Sequence, residues 1–337
     1  MSKVQNIFIG LDIGNKHCKC IIFGQNKNEP LKILKFGQSL TKGLQNNSII
    51  DYMQFQTCIK TCIESTKIPI NIKKCQIISN LPLPESENCL EKSRNQSIFT
   101  HQPYDLDNKN MIYSENLNNI KKELIDTLKI FTIYPVHFIY EGISIHDYAL
   151  NQYISKTPIY MIDMGYKSSK IHLYKDNKLQ ERRLLEIGGQ TITNDLKICL
   201  DTTQDTAEKL KILNCNLNSS NEKKTIKINN QEYDNQLIQK IVASRVTEWA
   251  NLLNISHPEY PILLTGSSAL LKGKARFLKK KFNFNVTLLD PKSLKPSSEK
   301  IAFTNCISHI LYAKKYDLFI LGKQTKPSFF TWLKNTL

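Results

Sequence analysis

Two carboxylates, Asp12 and Asp163, sit in the same local pattern in the two halves of this chain. Ile9–Phe23 reads IGLDIGNKHCKCIIF and Tyr160–Tyr174 reads YMIDMGYKSSKIHLY. Asp12 aligns with Asp163, Gly14 with Gly165, Lys16 with Lys167 and Lys19 with Lys170. Each copy is an apolar run, then Asp-x-Gly, a polar turn and a second β-rich run. That is the pattern of two strands joined by a tight turn, with a carboxylate ending the first strand. Two such hairpins facing each other could cradle a polyphosphate. Turn N–H groups would point at phosphate oxygens, and Asp12 and Asp163 would hold the waters of a magnesium ion. The plainer alternative is two ordinary hairpins with a surface Asp. A lone Asp-x-Gly says little; duplication of the whole pattern favours phosphate.

The elements that would position these turns also come in two series. Strands are expected near 6–13, 18–24 and 31–37, followed by a helix through Met53, Phe55, Ile59, Cys62 and Ile63 and a strand at 75–79. The stretch 83–116 has two prolines, many Asn and Ser and weak periodicity, and reads as a loop-rich insert. A helix at 117–131, a strand at 136–140 and a helix at 144–153 close the first half. In the second half, strands are expected near 159–163, 170–174 and 179–186. Gly188-Gly189 opens a helix over 191–200, and a shorter helix covers 205–213. A polar stretch, 216–235, holds one strand at 225–228. A long helix through Leu237–Leu253, a strand at 261–264, a basic helix, a strand at 286–289 and a helix at 301–312 follow. Duplicated α/β halves predict two related lobes with ligand in the crevice between them.

Composition narrows the function classes. The chain has 337 residues, 41% hydrophobic and 23% charged, as expected of a globular protein with real cores. It shows no run of eighteen apolar residues and no leader pattern at its start, so a cytosolic location is expected. The nine cysteines include no C-x-x-C pair, which argues against zinc. Cys18 and Cys20 share a strand face, Cys58 and Cys62 a helix face; both pairs read as small buried hydrophobes in a reducing compartment. The net charge of +16 comes almost wholly from lysine. The five arginines are Arg94, Arg182, Arg183, Arg245 and Arg276. Bidentate reading of nucleic acid leans on arginine, so no specific nucleic-acid partner is expected, while attraction to anionic lipid fits.

With these motifs in place, the chain resembles the actin-like ATPase superfamily and, within it, the bacterial cell-division FtsA family. Asp12-Ile13-Gly14-Asn15-Lys16 resembles the family's first phosphate loop, and Asp163-Met164-Gly165-Tyr166-Lys167 the second. Leu264-Thr265-Gly266-Ser267-Ser268-Ala269 resembles its adenosine loop. Ser39-Leu40-Thr41-Lys42-Gly43 before Asp51, and Gly188-Gly189 with Asp195 and then Ala207-Glu208-Lys209-Leu210-Lys211, resemble stretches more specific to FtsA. The resemblance implies two RNase H-like lobes around a nucleotide cleft, with ATP and Mg²⁺ as cofactors and Glu208 and Lys211 over the nucleotide sugar. It divides the chain into a first lobe at 1–155, with 83–116 as a reduced insert, and a second lobe at 156–301. Within the second lobe, about 201–253 would be a smaller partner-binding subdomain; a closing helix and linker at 302–322 and a tail at 323–337 follow. Where the family's loops carry Ser or Thr and runs of glycine, this chain has Asn15, Tyr166, Lys167 and Ser267. Glycine allows a closer backbone approach than these residues do, so hydrolysis at most weak is expected. Glu141 stands where some superfamily members place a water-activating Glu.

The tail reads PSFFTWLKNTL. On a helix, Phe329, Phe330, Leu333 and Leu337 share an arc flanked by Trp332, with Lys323, Lys326 and Lys334 nearby. That suits the plane of a membrane interface, or equally a face docking on the protein's own core. The family resemblance favours the membrane. It further implies an FtsA-like adaptor that binds the FtsZ C-terminal peptide, with Arg245 and Glu248 as partner-binding residues, self-association, and a place on the cytoplasmic face of the inner membrane at the division site. An actin-fold ATPase or kinase-like enzyme and a pilus-assembly adaptor are the competing expectations.

Overall fold

The computed structural model describes residues 6–26, 29–45, 48–68, 75–80, 115–132, 136–139, 141–153, 158–176, 178–218, 224–289 and 302–319. The insert at 83–116, apart from its last two residues, and the tail lie outside them, as do Phe329, Phe330, Trp332, Leu333 and Leu337.

The first half opens with an antiparallel meander, β1 (Asn6–Ile13), β2 (His17–Gln25) and β3 (Lys32–Leu40). A short hairpin, β4 (Leu44–Gln45) and β5 (Ser48–Ile49), leads into α1 (Tyr52–Glu64). Asp51 caps that helix by accepting from Gln54 N at 2.9 Å. Its apolar residues then recur on one face, so Phe55, Cys58, Ile59, Cys62 and Ile63 are all buried. Then come β6 (Gln76–Asn80), α2 (Glu115–Lys129), β7 (His137–Ile139) and α3 (Glu141–Tyr153). β6 runs parallel to β1, and β7 parallel to β6, giving the order β3-β2-β1-β6-β7.

The second half repeats the plan. β8 (Ile159–Met164), β9 (Ser169–Lys175) and β10 (Lys178–Leu185) form the meander, and α4 (Gly189–Cys199) and α5 (Gln204–Lys209) follow. α5 runs on into a π-helical turn at Leu210–Asn214. The hairpin β11 (Thr225–Ile228) and β12 (Gln231–Asp234) precedes α6 (Asn235–Leu252). After β13 (Ile262–Thr265), α7 (Lys274–Phe282) and β14 (Val286–Leu288), α8 (Thr304–Lys315) ends the described chain. The second sheet has the matching order β10-β9-β8-β13-β14.

Three apolar clusters explain the layering. α1 and α2 cover the face of the first sheet that carries Ile9, Leu11, Cys18 and Cys20. α4, α6 and α7 cover the face of the second sheet that carries Tyr160, Ile162 and Met164. The third cluster joins the inner faces of both sheets through α3 and α8: Phe8 and Ile21 from one, Met161 and Tyr174 from the other, Ile145, Ile307 and Ile310 between them. The cysteines on β2 and α1 are free thiols in the core, as their spacing predicts. A hydrogen bond to Cys18 and burial hold the Cys58 and Cys62 thiols above their ordinary range.

Some boundaries differ from expectation. α3 begins at Glu141 instead of 144, and α8 begins and ends three residues later than the helix expected at 301–312. The stretch 216–235 carries a two-stranded hairpin where one strand is expected, because Asn229 and Asn230 take positive φ and close a tight turn. The second strand, Gln231–Asp234, is too polar to announce itself in sequence.

Candidate functional site

The two Asp-bearing turns close in the same way. Gly14 N donates to His17 O at 3.2 Å, and Gly165 N donates to Ser168 O at 2.9 Å. The end of β1 is held from β6, where Asn80 Oδ1 accepts from Ile13 N at 2.7 Å and Asn80 Nδ2 donates to Ile13 O at 3.2 Å. The first turn is braced by Thr41, just past β3, whose N donates to Lys16 O at 2.9 Å and whose hydroxyl donates to Gly14 O at 2.7 Å.

The second turn is braced by the start of α4 and by the segment after β13. Gly189 N donates to Gly165 O at 3.0 Å and Gln190 N to Tyr166 O at 2.7 Å. Ser268 Oγ also donates to Gly165 O, at 2.8 Å. This packing needs glycine at two places. A Cβ on Gly189 would lie 2.3 Å from Ser268 Oγ, and one on Gly266, whose φ is +88°, would lie 2.2 Å from Asp163 Oδ1.

The turns meet. Lys16 Nζ lies 2.5 Å from Glu208 Oε1 and 4.7 Å from the centre of the Tyr166 ring. A residue of the first hairpin therefore touches both the second hairpin and α5. Glu208 Oε2 accepts from Thr193 at 2.5 Å and from Lys211 Nζ at 2.7 Å. Lys211 also donates to Gly189 O at 2.9 Å and Thr193 Oγ1 at 2.8 Å. It occupies the π-helical turn. Burial pushes the Glu208 carboxyl up, but Lys211, Lys16 and Thr193 outweigh it and bring the pKa down to about 2. Burial lowers the Lys211 ammonium, against the pull of Glu208. Glu208 and Lys211 thus form a largely buried pair bonded to each other, not two groups left open to a sugar.

The remaining expected residues fall as follows. Asp12 is buried and pairs across the strands with Lys19; Asp163 is half-buried and pairs across the strands with Lys170. Lys167 is half-buried, Ser267 exposed, and Gly188 is the N-cap of α4. Asn15 Oδ1 and Thr265 Oγ1 are buried with no hydrogen-bond partner. Glu141 is the first residue of α3. Arg245 and Glu248 lie on α6, where the Arg245 guanidinium clamps Asp195 of α4 (Nε–Oδ2 2.5 Å, Nη2–Oδ1 2.8 Å) and bonds Glu248 at 2.6 Å. The bond to Asp195 leads in raising the Arg245 pKa.

Sequence reasoning missed Asn80, Thr193, Ser268 as a brace, and Lys274. Lys274 is fully buried at the start of α7, 5.0 Å from the Trp249 ring, and its Nζ meets Met164 Sδ at 2.6 Å and Ser268 O at 3.0 Å. Burial, helped by Lys211, lowers its pKa to about 7. Nothing in the KGKAR run distinguishes it from a solvated lysine.

Among the described residues, no group of three or more His, Cys, Asp or Glu side chains could hold a metal ion. Nor does any described helix have the length and apolarity to cross a membrane.

The model of the family "Cell division protein FtsA" matches residues 160–310. The cell division protein FtsA of Buchnera aphidicola subsp. Baizongia pistaciae is 21% identical, covering 98% of this chain and 96% of that one. Among solved structures, the MreB 5 of Spiroplasma citri bound to AMPPNP has a TM-score of 0.62 at 12% identity, covering 99% of this chain and 100% of that one. A PilM-PilN type IV pilus biogenesis complex chain has a TM-score of 0.62 at 13% identity, covering 90% and 97%. The fold is that of the actin-like proteins.

Proposed function

We propose that this chain, which is similar to the cell division protein FtsA and has an actin-like fold, is a cell-division adaptor. It holds FtsZ, through the FtsZ C-terminal peptide, at the inner face of the cytoplasmic membrane. The cleft between the two lobes binds a nucleotide that biases the adaptor without being turned over rapidly. One observation carries the nucleotide part: Lys16 of the first Asp-bearing turn lies against Glu208 and the Tyr166 ring of the second half. Turns that lay on remote surfaces would leave no crevice to fill. The buried, unpartnered Asn15 Oδ1 adds to this reading. With its carboxamide turned over, Asn15 presents the donor that a phosphate oxygen requires. The MreB 5 relative in fold was seen with AMPPNP, which is consistent with a nucleotide here.

The partner face is assigned to the region 201–253, with Glu248 at its surface and Arg245 holding that surface to α4. Membrane attachment is assigned to the tail, Phe329, Phe330, Trp332, Leu333 and Leu337. A single short amphipathic helix binds reversibly, so several clustered copies hold far better than one. Pelleting with anionic liposomes, comparing the whole chain with one lacking residues 328–337, tests the tether; equal pelleting removes it. Titration with an FtsZ C-terminal peptide tests the adaptor role, and absence of binding at micromolar peptide removes it. ATP turnover on the order of 1 s⁻¹ or faster would favour an enzyme instead.

A further inference from the structure

Each of the two cleft carboxylates has a lysine as its cross-strand partner. Asp12 pairs with Lys19 and Asp163 with Lys170. Directly opposed residues of an antiparallel pair point to the same face, with Cβ atoms about 5 Å apart. The arrangement occurs in both halves, at the same place in both hairpins, so it belongs to the duplicated design of the site. Lys19 is buried beside Asp12, its Nζ fixed by Ala302 O at 2.9 Å just before α8. Gly266 lies beside the other carboxylate, where a Cβ would come within 2.2 Å of Asp163 Oδ1.

The surrounding groups tilt the same way. Lys16, Lys19, Lys167, Lys170 and Lys211 lie in or beside the two turns, against Asp12, Asp163 and Glu208. Glu208 is already shared between Lys16 and Lys211. His17, next to the first turn, has its pKa lowered to about 4, chiefly by burial and then by Lys16 and Lys19, against the pull of Glu208. A divalent cation held through water needs uncompensated carboxylates. Here the register sets a lysine opposite each carboxylate, so the donor set is a poor fit to Mg²⁺, while the excess of lysine suits a polyanion.

We propose that the cleft binds its nucleotide as the free polyphosphate, with Lys19 and Lys170 supplying the positive charge that a divalent metal would otherwise bring. The inference rests on the nucleotide reading above and narrows it to a metal-independent ligand. Its test is calorimetric titration of the full chain with ATP, once in EDTA and once in excess MgCl₂. ATP binds in EDTA at least as tightly as with magnesium. Lys170→Asp or, more gently, Lys170→Gln weakens binding in EDTA by about tenfold or more, while magnesium restores part of it for Lys170→Asp. Melting curves of both variants verify that they are folded. Wild-type affinity that rises about tenfold or more with magnesium overturns the metal-free inference and leaves the nucleotide reading standing. No heat under either condition overturns the nucleotide reading itself, and this inference with it.

Discussion

Lys274 is a fully buried lysine whose environment opposes its charge. Its ammonium is enclosed by Trp249, Met164 and a backbone carbonyl, and among the described residues no carboxylate is bonded to it. A base whose folded pKa is about 7 favours its neutral form in the fold. Below pH 7 both folded and unfolded chains hold the proton and the full cost of burying the charge is present. Between pH 7 and the ordinary lysine range the folded chain sheds it, and stability rises with pH. Lys274→Met should therefore stabilise the protein by on the order of 1–3 kcal/mol at pH 6 and by less at pH 9. Denaturant midpoints at the two pH values measure this, and equal gains would contradict it. Glu208 behaves in the opposite sense. Its folded pKa of about 2 gives stability that is complete above the ordinary carboxyl pKa and lost as pH falls toward 2. Glu208→Gln should flatten the acid limb of the pH–stability curve and cost about 1–2 kcal/mol at neutral pH.

At the scale of elements, α4 and α6 are tied by one guanidinium. Arg245 makes two bonds to Asp195 and a third to Glu248, with about a quarter of its side chain exposed. Arg245→Ala should cost about 2–3 kcal/mol, read from the urea midpoint, because it leaves Asp195 half-buried without its partner. Loss of peptide binding in that variant would need Glu248→Ala, which leaves the clamp intact, for comparison. The elements themselves were legible in the residues: alternation gave the strands of both meanders, and helical spacing gave α1, α6 and the approximate position of α8. The Asp-x-Gly turns were legible because they occur twice. Missing from that reading were contacts made across long stretches of chain. Asp195 and Arg245 look like separate surface charges, and Lys16 gives no hint of Glu208. Polar β12 and the π-helical turn escaped because neither has an apolar period. Lys274 escaped because a lysine among lysines reads as solvated.

At the scale of the whole molecule, Lys16–Glu208 is a polar contact between the first hairpin and the second half. Lys16→Met should loosen the two turns: amide exchange at Gly14–His17 and Gly165–Ser168 should quicken several-fold, while β1 and β8 exchange as before. A uniform change over both sheets would mean that the pair stabilises the fold generally instead of holding the two turns together.

The placement of α8 has a consequence for biogenesis. Although it is the last described element, this helix covers the first sheet: Gly10 leaves room for Cys306 O and Ile310, and Lys19 reaches Ala302. The amino-terminal half emerging from a ribosome therefore exposes Phe8 and Ile21 until residues past 310 have been made. Its packing is complete only once α8 is present, and a polypeptide ending at Tyr153 should be insoluble when produced alone. Supplying residues 158–319 as a separate chain should rescue it in trans, since that fragment carries the missing cover.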